Sequence, residues 1–205
     1  MSTGFAIPLA LPKAPYRLVL DPCLSDEEFE NLCFANSDVP LERTQEGVIV
    51  VNAPAGYGSG SGNAEITAQL RNWWLQHRRG RVADSSAGVF LPDGSALSPD
   101  ASYITAEQTA TLRADDLDHF LRFVPAFVLE LRSKTDSLAE LRRKMETWIE
   151  NGALVGWLID PYTRAVTIYE PGQSPRTETG QTVTGTGPVE GFALDLIEVW
   201  RSYEL

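Results

Sequence analysis

Apolar positions recur along this chain with two periods, and the switches between them mark out its elements. Ser25-Asp26-Glu27-Glu28-Phe29 opens a short helix, with Ser25 as N-cap and Glu28 completing a capping box, and the pattern stops near Asn36. Gly47 to Val51 reads as a strand or hairpin arm, and Pro54 to Gly62, with four glycines, reads as a flexible loop. From Asn63 the spacing of Ile66, Leu70, Trp73, Trp74 and His77 predicts a helix that Gly80 stops, with His77 packed on its apolar face. Three consecutive strands follow, Arg81 to Leu91, Pro99 to Ile104 and Ala126 to Arg132, interrupted by Pro92-Asp93-Gly94, with Asp93 as a turn residue, and by an acidic, helix-prone insert from Glu107 to Asp118. A second amphipathic helix buries Leu138, Leu141, Met145, Trp148 and Ile149. Ser137 to Glu140 forms its capping box and Asn151-Gly152 its stop. Leu154 to Ile159 and Ala165 to Tyr169 form a further strand pair, and Phe192 to Trp200 is an apolar segment of either type.

With 205 residues, 43% of them hydrophobic, the chain is one domain with ample material for a core. Cys23 and Cys33 fit no zinc or redox spacing and read as small buried hydrophobes, so a reducing, cytoplasmic setting is the expectation. Nothing approaches the roughly eighteen apolar residues of a membrane span, and Met1 to Leu11 lacks the basic start of a secretory signal. The net charge of −11 excludes a simple nucleic-acid coat. Its distribution changes that picture. Residues 71 to 81 carry Arg71, Arg78, Arg79 and Arg81 with no acid, and residues 132 to 144 carry Arg132, Lys134, Arg142, Arg143 and Lys144 against Asp136 and Glu140. An acidic body with two basic segments can hold phosphates on either side of a site.

The candidate chemistry lies between those segments. Asp100 follows Pro99 at the entrance to one apolar strand, and Glu130 sits inside another, Val128-Leu129-Glu130-Leu131. A buried acid is costly without a metal, a cation or a partner acid, and strands that bring both carboxylates to one sheet edge can hold a hard divalent ion such as magnesium between them. Arg132, two residues after Glu130, stays protonated, so it can orient a phosphate but cannot act as a base. Lys144, at the margin of its helix's apolar stripe, can run its stem along the core and carry its ammonium to the same edge. Lys134 is the lesser candidate. Other motifs fail. The Gly56 to Gly62 spacing is not a phosphate-binding fingerprint, two distant histidines exclude a zinc or Ser-His arrangement, and a glycosidase pair would not ask for the lysine.

The ordered series Gly88-Val89-Phe90-Leu91-Pro92-Asp93-Gly94, Ser98-Pro99-Asp100-Ala101-Ser102, Phe127-Val128-Leu129-Glu130-Leu131-Arg132-Ser133, Lys144-Met145 and Gly156-Trp157-Leu158-Ile159-Asp160-Pro161 resembles the Uma-type putative restriction endonucleases of the PD-(D/E)XK superfamily, from about Leu41 to Trp200. The resemblance implies an α/β (α+β) restriction-endonuclease-like core: a mixed central sheet flanked by helices, here with an added N-terminal helix and hairpin. It implies a divalent-metal-dependent endonuclease acting on DNA, with Mg2+ or Mn2+ on Asp100, Glu130 and the Leu131 carbonyl, and Lys144 as the migrated catalytic lysine. It also carries over Glu42, before the first hairpin, and Asn63, at the start of the following helix, where Asn63 could equally be a cap. Arg71, Arg78, Arg79, Arg142 and Arg143 would then touch DNA, and a two-strand cut would favour a homodimer. The alternative is a catalytically inactive nuclease fold that binds nucleic acid or protein, and Lys144 discriminates the two.

Overall fold

The computed structural model describes residues 15–204, so the Met1 to Leu11 stretch lies outside the described residues. The Ser25–Glu28 capping box forms as its spacing predicts and opens α1 (Asp26–Ala35), which Asn36 caps. β1 (Tyr16–Leu18), β2 (Leu41–Arg43), β3 (Ile49–Val51), β5 (Val89–Phe90) and β6 (Ala96–Leu97) build a small sheet in the order β1-β3-β2-β6-β5. Phe29 of α1 packs on it with Ile49, Phe90 and Ala96.

The main sheet runs β11-β10-β9-β8-β7-β4, from β4 (Arg81–Asp84), β7 (Ala101–Ile104), β8 (Phe127–Leu131), β9 (Val155–Asp160), β10 (Ala165–Tyr169) and β11 (Arg176–Thr179). All its neighbours are antiparallel except β8 and β9, which α4 (Leu138–Glu150) joins as a crossover. Side chains alternate along β8. Phe127, Leu129 and Leu131 face α2 (Tyr57–His77), α5 (Leu196–Arg201) and the hairpin of β12 (Thr182–Thr184) with β13 (Ala193–Asp195), in one core with Ile66, Leu70, Leu194 and Val199. Val128 faces the other way, into a second core with Met145 and Trp148 of α4. The same alternation turns Glu130 toward α4, which is how a charged residue enters a strand buried along its whole length.

The structure corrects several expectations. The glycine-rich stretch is not a loop. α2 begins at Tyr57 and is capped by Gly56, because closeness to the C-terminal segment selects for small residues there. A Cβ on Gly62 would lie 2.9 Å from Leu131 Cδ2 and 3.2 Å from the Tyr203 ring, whereas one on Gly60 would meet nothing within 4 Å. Gly62→Ala should therefore cost about 1–3 kcal/mol by overpacking, while Gly60→Ala should gain about 0.5–1 kcal/mol from helix propensity. Urea denaturation midpoints moving in opposite directions would check this pair.

Asn63 consequently lies inside the helix and is not its cap, and α2 ends at a left-handed Arg78 (φ 51°) before Gly80. His77 is exposed, its ring against Trp73, since the apolar stripe ends at Trp74. Arg81 to Leu91 splits into β4 and β5, with a turn held by Asp84 between them. Ser137 sits at the N-cap of α4 but makes no cap hydrogen bond, and Cys23 is exposed before α1 while Cys33 is half-buried on it. Asp93 is the turn residue expected, accepting from Ser95 N and from Asn151. The insert forms α3 (Ala106–Ala110) and a short 3-10 turn, and Phe192 to Trp200 divides into β13 and α5. Among the described residues no helix is long and apolar enough to cross a membrane.

Candidate active site

Pairing between β7 and β8 sets Ala101 opposite Leu129, which brings the preceding Asp100 to the same sheet end as Glu130. Asp100 Oδ2 accepts from Leu131 N at 2.7 Å and Oδ1 accepts from Asn63 Nδ2 at 2.9 Å, so α2 and β8 both fix this carboxylate. Glu130 accepts from the Trp148 indole Nε1 at 3.0 Å and from Lys144 Nζ at 2.8 Å. Lys144 and Trp148, one turn apart on α4, thus serve one carboxylate. Lys144 Nζ also donates to Glu42 Oε1 at 2.7 Å and to the Ser98 carbonyl at 2.9 Å, three acceptor groups for its three protons. Glu42, on β2 of the small sheet, is held by Ser98 N and Asn52 Nδ2.

Asp100, Glu130, Lys144, Glu42 and Asn63, singled out from the sequence, therefore meet in one place. Arg132 does not join them. Its Nη1 donates to Asp160 Oδ2 at 2.9 Å and its guanidinium lies over Tyr162, which fixes it along β9. Lys134 is exposed in the turn after β8. Arg142 and Arg143 are exposed on α4 beside Lys144, Arg143 3.9 Å from Glu140. Arg71, Arg78 and Arg79 lie toward the far end of α2, about 22 Å from Asn63 to Arg78 at 1.5 Å per residue, so they do not flank the acids directly. The sequence reading missed three supports of the site: the Trp148 indole, Asn52 and the Ser98 backbone. Trp148 alone carried a signal, standing four residues after Lys144 with a donor that a buried indole must satisfy.

The electrostatics follow from burial. Glu130 is pushed up to about 8, first by burial and then by the neighbouring charges of Asp100 and Glu42, with Lys144 opposing. Burial also raises Asp100, although the Leu131 amide, Lys144 and Asn63 pull the other way. For Lys144 burial works against the charge, but Glu130 and Glu42 outweigh it and hold the ammonium protonated. Once all three acids are ionised, one lysine leaves a surplus of two negative charges, the charge of one divalent cation; without a cation, the raised Glu130 keeps its proton instead. Asn63 Oδ1, buried and without a partner among the described residues, is a further oxygen that could bind an ion or its water. This all-oxygen donor set fits magnesium or manganese. Among the described residues no three acids or other ligands already converge into a closed cage, and Lys144 Nζ is bonded to both Glu42 and Glu130.

The fold has relatives. It superposes on the crystal structure of a putative nuclease belonging to DUF820 from Anabaena variabilis ATCC 29413 with a TM-score of 0.71 at 17% identity, covering 87% of this chain and 98% of that one. Against the DrdV–DNA complex the TM-score is 0.35 at 12% identity, over 69% of this chain and 11% of that one, too slight a likeness to inform the fold. No curated protein sequence matches the chain. The DUF820 likeness identifies a restriction-endonuclease-like α+β fold, and the profile of the Uma2 putative restriction endonuclease family matches residues 26–196, so this chain belongs to that family.

Proposed function

We propose that the protein is a divalent-metal-dependent endonuclease that hydrolyses DNA phosphodiester bonds. The observation that carries this reading is the meeting of Glu42 and the buried Glu130 on Lys144 beside Asp100, an arrangement that, with its acids ionised, carries a surplus of negative charge and calls for a cation. Asp100 and Glu130, with the Leu131 carbonyl, would hold Mg2+ or Mn2+. Such an ion supplies polarisation of the phosphate and a lowered pKa for an attacking water. The Leu131 amide and Asn63 orient Asp100, and the Trp148 indole orients Glu130. Lys144, kept charged by its acids, cannot take a proton from water as it stands, so its role is a fixed positive charge toward the phosphate oxygens. Arg142 and Arg143, exposed on the same helix, would meet the flanking backbone, and cutting both strands would call for two copies related by a twofold axis.

Two observations favour the rival reading of a catalytically inactive nuclease fold that binds nucleic acid or protein. Lys144 already satisfies two of the acids, and Arg132 stands where the superfamily's lysine would be. Calorimetric titration with manganese and cleavage of supercoiled DNA separate the two. The parent should bind manganese and cut. Asp100→Ala and Glu130→Ala should each lose the binding signal and at least about 100-fold in cleavage rate. A parent that binds no manganese and cuts nothing would leave the inactive scaffold as the reading.

A further inference from the structure

In a chain where acids outnumber cations 28 to 17, most described arginines have found an acid, yet Arg71, Arg78, Arg79 and Arg81 form no ion pair among the described residues. They stand together. With Trp74 and Thr109 they line an open cavity of about 600 Å³ where α2 ends, β4 begins and α3 passes. Glu107 of α3 feels the charge of Arg79 but does not pair with it. The Arg71 guanidinium is stacked 3.9 Å from the centre of the Trp74 ring, so its planar fork is held in place before any ligand arrives.

The flank of α2 links this cluster to the acids. At 100° per residue, Thr67, Arg71, Trp74 and Arg78 fall within about 80° of Asn63 around the helix, and no acid occupies that flank, while Glu65 projects from the opposite side. Along the helix the cluster begins at Arg71, about 12 Å from Asn63, and reaches Arg78 at about 22 Å; along β7, where Arg81 pairs with Ile104, it is about 13 Å from Asp100. On its flank the helix itself presents no acid before the arginines, whereas the β4 edge carries Asp84, opposite Ala101, so the helix flank is the track a polyanion would follow.

We infer that the Arg71–Trp74–Arg78–Arg79–Arg81 cavity is a second nucleic-acid site, which grips the phosphate backbone of the duplex about four to seven base pairs from the phosphate held at Asp100 and Glu130. The inference rests on the nuclease reading and extends it: the substrate must be a duplex long enough to reach both places. Backbone contact of this kind positions the duplex and carries no sequence preference.

Binding of hairpin duplexes with stems of about 5 and about 15 base pairs, measured by fluorescence anisotropy at low salt in EDTA, tests this without requiring turnover. The parent should gain affinity on the longer stem. The triple variant Arg71→Gln, Arg79→Gln, Arg81→Gln should lose about tenfold or more on that stem, with a slope of log affinity against log salt shallower by about 2.7, and should lose the gain in affinity that the parent shows from the short stem to the long one. Unchanged affinity and slope in the variant would overturn the second site while leaving cleavage, and the nuclease reading, intact. A parent that neither binds nor cuts any duplex would overturn both. If the variant fails to fold, the parent decides alone, since no gain on lengthening the stem overturns the site. Competition by polyglutamate as strong as by the long stem would also overturn it, marking the cavity as a dock for acidic protein.

Discussion

Lys144→Ala should be the most damaging single substitution in this protein, and its cost should depend on the metal present. Removing the ammonium leaves Glu42 and Glu130 without their cation, a loss of about 3–5 kcal/mol above about pH 8, where both would be ionised, by comparison with other broken buried pairs, and less at lower pH, where Glu130 keeps its proton. Urea denaturation in EDTA measures that cost. In magnesium the loss should shrink, because a divalent ion held by Asp100 and Glu130 would offset the same charges. Cleavage should fall by about 100- to 1000-fold even when the folded variant is saturated with metal, in line with the loss of a single charge-stabilising donor. Arg132→Ala should do less to turnover, because Asp160 and Tyr162 already occupy that guanidinium. Full turnover by Lys144→Ala, with Arg132→Ala inactive, would reverse the assignment of roles.

Stability of the metal-free protein should fall as pH rises from about 5 to about 8, the reverse of ordinary carboxylate behaviour. Glu130 titrates near 4.5 when unfolded and at about 8 when folded, first because of its burial. Through that window the folded chain keeps a proton that the unfolded chain has released. Each rise in pH therefore favours unfolding, and the penalty is complete above about 8. Asp100, also raised by burial, adds in the same direction, while Lys144 is charged in both states across the window and adds no slope. The total should be of the order of a few kcal/mol. Thermal melts in EDTA at intervals of pH check this, and Glu130→Gln should flatten the curve. Magnesium should restore more stability at pH 8 than at pH 5, because at the lower pH it must displace the proton. A profile that climbs with pH in EDTA would mean that Glu130 is ionised in the folded protein.

The order of elements was legible because each change of period, from the α2 stripe to the β7 and β8 runs and back to α4, is written in neighbouring residues. Asp100 and Glu130 were legible for a related reason: an acid within an apolar strand is a local contradiction that asks for a partner. The start of α2 was not legible. Its glycines speak locally for a turn, and what makes them helical is the approach of Leu131 and Tyr203 from distant parts of the sequence. Local propensity lost there to tertiary contact. Trp148 read only as core, since the partner of its indole is set by how α4 lies across β8. His77 erred the other way: it continues the helical periodicity yet lies exposed, with only its ring edge against Trp73.

The acid cluster joins pieces of chain at very different separations in sequence. Glu130 and Lys144 belong to a single β8–α4–β9 crossover and lie 14 residues apart, so a modest loop closure suffices to bring them together. Glu42 arrives on a hairpin of the other sheet and can reach Lys144 only when that sheet has docked and Ser98 has drawn the segment between β6 and β7 into place. Pairing over such a separation in sequence is the slow kind of contact. By sequence separation the third acid should arrive last, and removing the β2–β3 hairpin's contact with Lys144 would leave the site with one acid missing and one lysine proton unclaimed.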